Sequence, residues 1–410
     1  DPDALPRLMW TIRPTQGGEF DALGMTFSTP VVARVNYSGA PEDVLIFSGG
    51  YHGGWTQENT ARIGKDLGAD DDNFGNAIYI VNARTGELVW KAEAGATGAS
   101  SNVHFEHAGL VDSIPSDVTV LVSPDGVVHR LYVGDTGGAV WRVDLPPNRG
   151  DDDNHRMNHW FITTLADLGA DVAESGGSGA DDRRFFHAPD IVQSYDSGGE
   201  YDGVLIQSGD REHPNETAVK NALFFIRDRH VASGDDLVSA ENNTDQPAGR
   251  VQYTDLADRT ECIAGDTASM AEGAENACSS IAAVAGWKVR YGQPGEKGVS
   301  PVLVDGGRVF ASTFVPGDAT SCPATPGRGQ LHVLRLVDAA PVANQQRTYD
   351  LGAGIPDAVI TLGENLLLPG GGADLYDLDG DGKRDSTNVL PSQAVKRYRA
   401  YWREPDIDSL

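Results

Sequence analysis

Basic residues are scarce in this 410-residue chain, which has 32 Lys and Arg against 60 Asp and Glu and a formal net charge of -28. Nucleic acids are bound through a basic footprint that neutralises phosphates, so this balance argues against a nucleic-acid partner. An acidic surface suits solubility, cation binding and saline or extracellular settings.

Long apolar runs are also missing. No run approaches the roughly 20 apolar residues of a membrane-spanning helix. The first residues, DPDALPRLMW, lack the basic-then-apolar pattern of a signal peptide. We therefore expect a soluble chain without a membrane span, corresponding to a mature fragment.

Cysteine is rare, with three residues in the chain. Cys262 and Cys278 are too far apart for a C-x-x-C metal or redox pair, and they flank a polar segment that a disulfide would close. Such a bridge would contribute about 3 kcal/mol, and free thiols are the alternative. Cys322 is left over, either free or paired outside this fragment.

Glycine is abundant, with 49 residues, and it separates short apolar runs that alternate as strands do. Gly134 to Gly138 forms a dense turn signal between two such runs, and Ala83 to Gly86 does the same between runs 78–82 and 87–90. A lone hairpin cannot bury its own apolar face, so recurring strand-turn-strand units favour radial repetition. The sequence predicts an all-β, modified β-propeller of about six to seven blades with long loop insertions.

No stretch has linker composition, so we expect one domain over residues 1–410. A first strand is predicted at Leu8 to Ile12, and residues 231–278 are predicted to be an insertion between blades because they are polar and least strand-like.

The sharpest local signal is an aspartate-rich loop near the end of the chain. Alternate acidic side chains converge on one centre when a loop winds round an ion, and oxygen ligands without His or Cys favour Ca²⁺. Asn388 stands where an EF-hand has its last Glu, so we predict a nine-residue calcium loop between strands. An acidic turn is the alternative. The predicted ligands are Asp377, Asp379, Asp381, the backbone carbonyl of Lys383, and Asp385.

Other charged clusters are weaker candidates. Consecutive aspartates at 70–72 and 151–153 are expected to fan outward as solvated loops. The pairs His155/His159 and His104/His107 lack an accompanying third ligand, so surface or structural roles are expected. The cluster Asp210 to His213 is expected to be a structural network rather than an acid-base pair.

Arg149, Gly150 and Asp151 spell a tripeptide that integrins read in some ligands, in a polar loop that can display it. Three-residue matches arise easily by chance, so this adhesion site is a minor alternative. The chain has no G-x-S-x-G elbow, phosphate-binding loop or dinucleotide fingerprint, and we expect a protein that is not an enzyme.

An ordered series of segments resembles the C-terminal propeller of the PilC/PilY proteins, the tip-located adhesins and assembly factors of bacterial type IV pili. The series extends from about Phe27 to Trp402. Its segments are FSTPVVARV, VLIFSGGYH, GNAIYIVNARTGELVW, SIPSDVTVL, LYVGDTGGAVWRVDL, RRFFHAPDIV, VLIQSGDREHP, GWKVRYGQPGEKGVSPVLV, VFASTFVP and YRAYW.

This resemblance implies a modified β-propeller that is exported through the periplasm to the pilus tip or outer cell surface. It implies minor or major pilins and the pilus machinery as partners, a host or abiotic surface receptor, and calcium-dependent control of extension and retraction. The chain would then be the C-terminal portion of a larger protein.

The sequence departs from the family at one place. Family members often carry an aspartate-rich calcium loop just before the LYVGD strand, and here the matching positions read Leu121, Ser123, Asp125, Gly126 and His129. Only Asp125 and Gly126 keep the pattern, so the calcium prediction moves to the loop from Asp377 to Asp385.

Two other functions remain open at this stage. The segment NARTGELVW also resembles the Trp-bearing blade repeats of quinoprotein dehydrogenases, but those enzymes typically have adjacent cysteines and no two cysteines are neighbours here. A secreted ligand-binding propeller unrelated to pili is the other alternative.

We expect Asp377→Ala combined with Asp381→Ala to abolish the rise in melting temperature that Ca²⁺ produces, because half of the carboxylate ligands are lost. Differential scanning calorimetry with and without Ca²⁺ measures this. An unchanged calcium-dependent shift in the double variant would rule out the loop as the metal site.

Overall fold

The fold is all-β, as expected from the sequence. The computed structural model describes residues 8–37, 39–54, 63, 71–101, 103–146, 160–169, 182–231, 250–262, 285–317, 326–342, 346–362, 365–367 and 389–391. Within these residues there is no helix long and apolar enough to cross a membrane.

The strands form five sheets in chain order. Sheet 1 contains β1 (Val31–Tyr37), β2 (Ala40–Ser48), β3 (Ala77–Asn82), β4 (Leu88–Ala94), β5 (Gly98–Ser101) and β6 (His104–His107). Sheet 2 contains β7 (Thr119–Val122), β8 (Val128–Gly134), β9 (Ala139–Asp144), β10 (Phe161–Asp167) and β14 (Val251–Gln252). Sheet 3 contains β11 (Asp190–Asp196), β12 (Gly199–Gln207), β13 (Ala222–Asp228), β15 (Ala257–Asp258) and β16 (Gly286–Arg290). Sheet 4 contains β17 (Lys297–Gly298), β18 (Leu303–Asp305), β19 (Arg308–Val315), β20 (Arg328–Arg335) and β21 (Thr348–Ala353). Sheet 5 contains β22 (Ile360–Leu362), β23 (Asn365–Leu367) and β24 (Val389–Pro391).

The first four sheets share one plan. Each has four antiparallel strands in meander order, with short extra strands at an edge. Apolar clusters lie between sheets 1 and 2, between sheets 2 and 3, and between sheets 3 and 4. Successive meanders packed face to face are the blades of a β-propeller, so the predicted fold class is confirmed. The number of blades in the whole chain stays a prediction.

Tryptophans fill the space between blades. Trp90 on β4 and Trp141 on β9 lie in the cluster that joins sheets 1 and 2. Trp287 on β16 lies in the cluster that joins sheets 3 and 4, and its indole N–H donates to the carbonyl of Leu336 at 2.9 Å. Large aromatic side chains bury much apolar area each, so these three residues contribute strongly to blade packing.

Backbone hydrogen bonds connect the loops of successive sheets in a continuous series, which we call the loop belt. The belt amides are Gly50, Thr136, Phe185, Gly209 and Gly298. They donate to the carbonyls of Ile114, Ser113, Asp135, Arg184 and Ser208, respectively, at 2.9 to 3.0 Å. The belt therefore links sheet 1 to sheet 4 through main-chain groups alone.

Glycine is required where belt segments approach one another. A Cβ placed on Gly209 would lie 2.0 Å from the carbonyl oxygen of Gly298, and one on Gly138 would lie 2.7 Å from the carbonyl oxygen of Arg183, which precedes sheet 3. Gly138 also has a positive φ of 86°, a conformation that glycine adopts without steric cost. Part of the high glycine content is thus explained by close backbone contact between blades.

A buried ion network, the second link between blades, joins sheets 2 and 3. Asp202 on β12 lies directly opposite Asp228 on β13, an arrangement in which like charges repel. Arg130 on β8 donates to Asp202 at 2.5 Å, and Arg142 on β9 donates to Asp228 at 2.6 Å. The arginines of one blade therefore compensate the paired aspartates of the next.

The other members of the network satisfy the remaining donors. Asp144 accepts two hydrogen bonds from Arg142, at 2.7 and 2.9 Å, and one from Arg130 at 2.9 Å. The hydroxyl of Tyr132 donates to Asp228 at 2.8 Å. Burial raises the pKa of Asp228, but Arg142, Tyr132 and Arg130 outweigh it and hold that pKa below its ordinary value.

The structure agrees with most strand predictions and corrects one. The hairpin turns at Gly134 to Gly138 and Ala83 to Gly86 are present between β8 and β9 and between β3 and β4. Leu8 to Ile12 forms no strand, so that prediction is wrong. Trp10 instead packs with the apolar cluster on sheet 1 and donates to the Ala83 carbonyl at 3.3 Å, and side-chain burial replaces strand pairing there.

The chain between β13 and β16 leaves and re-enters the same sheet. Its described part, residues 250–262, adds β14 beside β10 and β15 beside β16, both in parallel pairing, with a 3-10 turn at Tyr253–Asp255 between them. This part of the predicted insertion connects sheets 2 and 3.

We expect Asp228→Asn to lower the free energy of unfolding by about 3–5 kcal/mol, because it leaves Arg142 buried with one carboxylate fewer. Asp43→Asn is the matched control. Asp43 pairs with Arg34 on the exposed face of sheet 1, and loss of such a pair costs about 1 kcal/mol or less. Denaturant unfolding at pH 7 measures both, and equal losses would contradict the claim that removing one carboxylate leaves a costly buried charge on Arg142.

Candidate metal centre and adjoining pocket

Four charged or ionisable side chains gather at one edge of sheet 1. Strands β4 and β6 pair in parallel, with Lys91 beside His104 and Glu93 beside Glu106. Residues two apart on a strand face the same side, so all four share one face. The residues between them on the two strands, Ala92 and Phe105, are buried in the core between sheets 1 and 2.

Three of these side chains converge. The Nε2 atom of His104 lies 2.7 Å from Oε1 of Glu93 and 4.0 Å from Oε1 of Glu106. One ligand atom from each of the three residues lies within 4.8 Å of the other two. An imidazole and two carboxylates at this spacing can share a proton or hold a cation.

Neighbouring groups position the two carboxylates. Lys91 donates to Oε2 of Glu93 at 2.6 Å and leaves Oε1 on the side of His104. A Cβ on Gly95 would lie 2.7 Å from Cδ of Glu106, so the glycine makes room for that carboxylate. Any larger residue at position 95 would displace Glu106 from the cluster.

A cavity of about 910 Å³ adjoins this cluster. Its wall includes the apolar residues Leu23 and Phe74, the polar residues Tyr51 and His52, and Glu93, which thus belongs to both features. Pockets of this size with mostly apolar walls and a few polar groups are typical ligand sites.

Asp72 anchors one wall of the cavity. It is 4 % exposed, and its carboxylate accepts from the Ser113 amide at 2.8 Å and from the Thr136 hydroxyl at 3.3 Å. His52 lies 3.2 Å from its other oxygen. The prediction that residues 70–72 fan outward is therefore wrong for Asp72, because buried donors from two loops satisfy its charge.

The sequence did not reveal the cluster of Glu93, His104 and Glu106. Glu106 stands two residues after His104 on β6 and faces the same side. Glu93 lies on β4 and reaches His104 only through the pairing of β4 with β6. The sequence does show charged residues two apart, Lys91 with Glu93 and His104 with Glu106, which indicates that each pair shares one strand face. The register of β4 against β6 could not be derived from this pattern.

His107 has a structural role, as expected. Its Nδ1 accepts from the Gly109 amide at 3.1 Å, and its ring meets the Trp141 ring edge-on at 4.9 Å. Burial, and next the charge of Arg250, lower the pKa of His107 to about 4. The imidazole is therefore neutral at pH 7.

Several predicted site residues lie outside the described residues, and their roles stay predictions. These are the calcium loop from Asp377 to Asp385, the tripeptide Arg149 to Asp151, the pair His155/His159, and Cys278 and Cys322. Cys262 is buried and disulfide-bonded. Its partner is not among the described residues, so the predicted pairing with Cys278 stays open.

The turn from Ser123 to Val127 contains Asp125 and Gly126, the two residues that keep the pattern of the calcium loop in the sequence resemblance. The Ser123 amide donates to the Val127 carbonyl at 2.8 Å, and Oδ1 of Asp125 accepts from the Val127 amide at 3.3 Å. The Ser123 hydroxyl lies 3.1 Å from Nδ1 of His129. Ser123 and Asp125 thus make hydrogen bonds within the turn and with His129 beside it.

The network around Asp210 is also structural, as expected. Oδ2 of Asp210 lies 2.8 Å from Nδ1 of His213 and accepts from Arg184 at 3.1 Å, while Oδ1 accepts from the amides of Glu212 and His213. These contacts fix the loop after β12 to the segment that precedes β11.

Comparisons with known proteins give structural similarities only. No family model matches the chain, and no curated protein matches its sequence. The fold is similar to a pilus protein domain. The C-terminal domain of Pseudomonas aeruginosa PilY1 aligns with 84 % of this chain and 82 % of that chain, at 17 % identity and a TM-score of 0.49.

A second solved structure, the quinohemoprotein alcohol dehydrogenase of Comamonas testosteroni, aligns with 79 % of this chain and 48 % of that chain, at 9 % identity and a TM-score of 0.35. The chain thus spans about half of that enzyme's length. Both similarities concern the course of the chain, and neither assigns it a function.

We expect acidification from pH 7 to pH 4 to destabilise the protein, with His107 contributing about 1–3 kcal/mol of the loss. The folded-state pKa lies below the ordinary value of 6.5. The unfolded chain therefore takes up the proton first, and stability falls as the pH drops from about 6.5 towards 4. Denaturant unfolding across this range should show a flatter profile for His107→Gln, and a variant with the wild-type slope would contradict the assignment.

Proposed function

We propose that the chain is a non-enzymatic protein associated with the tip of a type IV pilus, where it supports pilus assembly, controls extension and retraction, and mediates surface adhesion. It acts as the propeller portion of a larger exported protein. Pilins and the pilus machinery are its partners, and Ca²⁺ bound at Asp377 to Asp385 adjusts how it docks onto them.

This proposal is carried by the position of the family-like segments in the fold, because they contact one another in the loop belt. Gly50 of VLIFSGGYH, Phe185 of RRFFHAPDIV, Gly209 of VLIQSGDREHP and Gly298 of GEKGVSP all donate backbone hydrogen bonds in the loop belt. Each bond ends on another family-like segment. The resemblance is thus concentrated in groups that make the blades one body, and it supports kinship of the whole propeller better than scattered matches would.

Adhesion in this proposal uses loops presented by the rigid blades. Binding residues commonly lie on loops that a rigid scaffold positions. The tripeptide Arg149 to Asp151 follows β9 in the chain, between two strands of sheet 2, and is one such loop candidate.

The cavity beside sheet 1 favours a second candidate function. A propeller that binds a secreted or extracellular ligand, without any pilus, would use such a pocket. Glycan-array binding combined with a lack of pilin binding would favour this alternative.

We expect the purified chain, immobilised on beads, to retain pilus subunits from sheared pili in the presence of Ca²⁺ and to retain a different amount after chelation. The Asp377→Ala and Asp381→Ala double variant is the control, because its retention should be the same with and without Ca²⁺. Quantitative mass spectrometry of the eluates measures both. Failure to retain any pilin above empty beads in either condition would contradict the proposal.

A further inference from the structure

We propose that Glu93, His104 and Glu106 bind a divalent transition-metal ion of the zinc class. This site would be separate from the aspartate-rich loop and does not depend on the pilus association.

The spacing of the three ligand atoms suits a tetrahedral ion. Ligand atoms about 2.0–2.1 Å from a tetrahedral ion lie about 3.3 Å from each other. The distances from Nε2 of His104 to the two glutamate oxygens, 2.7 and 4.0 Å, lie on either side of that value. Small side-chain rotations therefore bring the three atoms to ligand spacing, without any change in the pairing of β4 with β6.

The three side chains are ligands of the types that transition metals prefer. Ca²⁺ takes six to eight oxygen ligands, whereas imidazole suits zinc, copper, iron and nickel. One imidazole with two carboxylates therefore selects a transition metal over Ca²⁺. Three protein ligands also leave one position of a tetrahedral ion for water or another ligand.

The structure holds the three ligands in place before any ion binds. Glu93 and Glu106 are direct cross-strand partners, and the three side chains are half-buried. Lys91 occupies one oxygen of Glu93, in the way that outer partners orient metal ligands. Gly95 provides the space that Glu106 needs.

Charge favours the same conclusion. With a neutral imidazole, the two carboxylates and the ammonium of Lys91 leave a net negative charge at the site, in a chain of net charge -28. Because Glu93 also lines the cavity, a bound ion would place positive charge at the edge of that pocket.

The experiment titrates the metal-stripped chain with Zn²⁺ by calorimetry in excess Ca²⁺, so that any site that prefers Ca²⁺ is already filled. We expect one equivalent of Zn²⁺ per chain. His104→Gln and Glu106→Gln should each weaken binding about tenfold or more, since even partners beyond the ligands contribute about 10–100-fold.

Matched controls keep the result specific. The control variants are His129→Gln, on another blade, and Glu87→Gln, on an exposed turn. Both should bind Zn²⁺ as the wild type does. The double variant Asp377→Ala and Asp381→Ala should also retain Zn²⁺ binding. Circular dichroism of the metal-free variants checks that each is folded.

Co²⁺ provides a readout that needs no variant, because its visible absorption band reports its nitrogen and oxygen ligands. In the wild type, this band should disappear when Zn²⁺ is added. A wild-type chain that binds no Zn²⁺ would overturn the proposal. Zn²⁺ affinity unchanged in folded His104→Gln and Glu106→Gln would overturn it as well.

Discussion

The close backbone contact between loops of successive sheets is the constraint on which the rest of the structure depends. Where the Gly209 amide donates to Arg184 and the Gly298 amide donates to Ser208, the two main chains approach so closely that no Cβ fits between Gly209 and Gly298. Main-chain groups buried between blades must find partners, and the loop belt supplies them. The blades therefore keep one arrangement however much the outer loops vary.

Side chains then add specificity to this backbone framework. Asp202 and Asp228 would repel each other across β12 and β13, and the arginines and Tyr132 of the neighbouring sheet compensate that pair. A buried ion pair adds little net stability compared with an apolar contact, but breaking one is costly. The network thus disfavours wrong pairings of blades more than it strengthens the correct one.

The same framework positions the candidate sites. The Glu93, His104 and Glu106 cluster depends on the register of β4 against β6. The cavity wall depends on Asp72, which is held by Ser113 and Thr136 from loops of the belt. The two features of sheet 1 would then be sites where an ion or ligand modifies an otherwise stiff scaffold.

The sequence predicted what depends on local pattern. Alternating apolar residues and the Gly134 to Gly138 turn predicted strands and hairpins correctly, because side-chain period and turn chemistry are local properties. Leu8 to Ile12 is also apolar, but among the described residues it pairs with no strand, and the availability of a partner strand is not a local property. Similarly, no local pattern places Glu93 beside His104, because the two residues meet only through the parallel pairing of β4 with β6, with β5 between these strands in the chain.

Hydrogen exchange of the loop-belt amides tests the central structural claim most directly. If the belt holds the blades together, the amides of Gly50, Phe185, Gly209 and Gly298 exchange at one slow rate, set by cooperative unfolding of all four sheets. The account would be contradicted if these amides exchanged as fast as the amides of exposed turns, or at a different rate in each sheet.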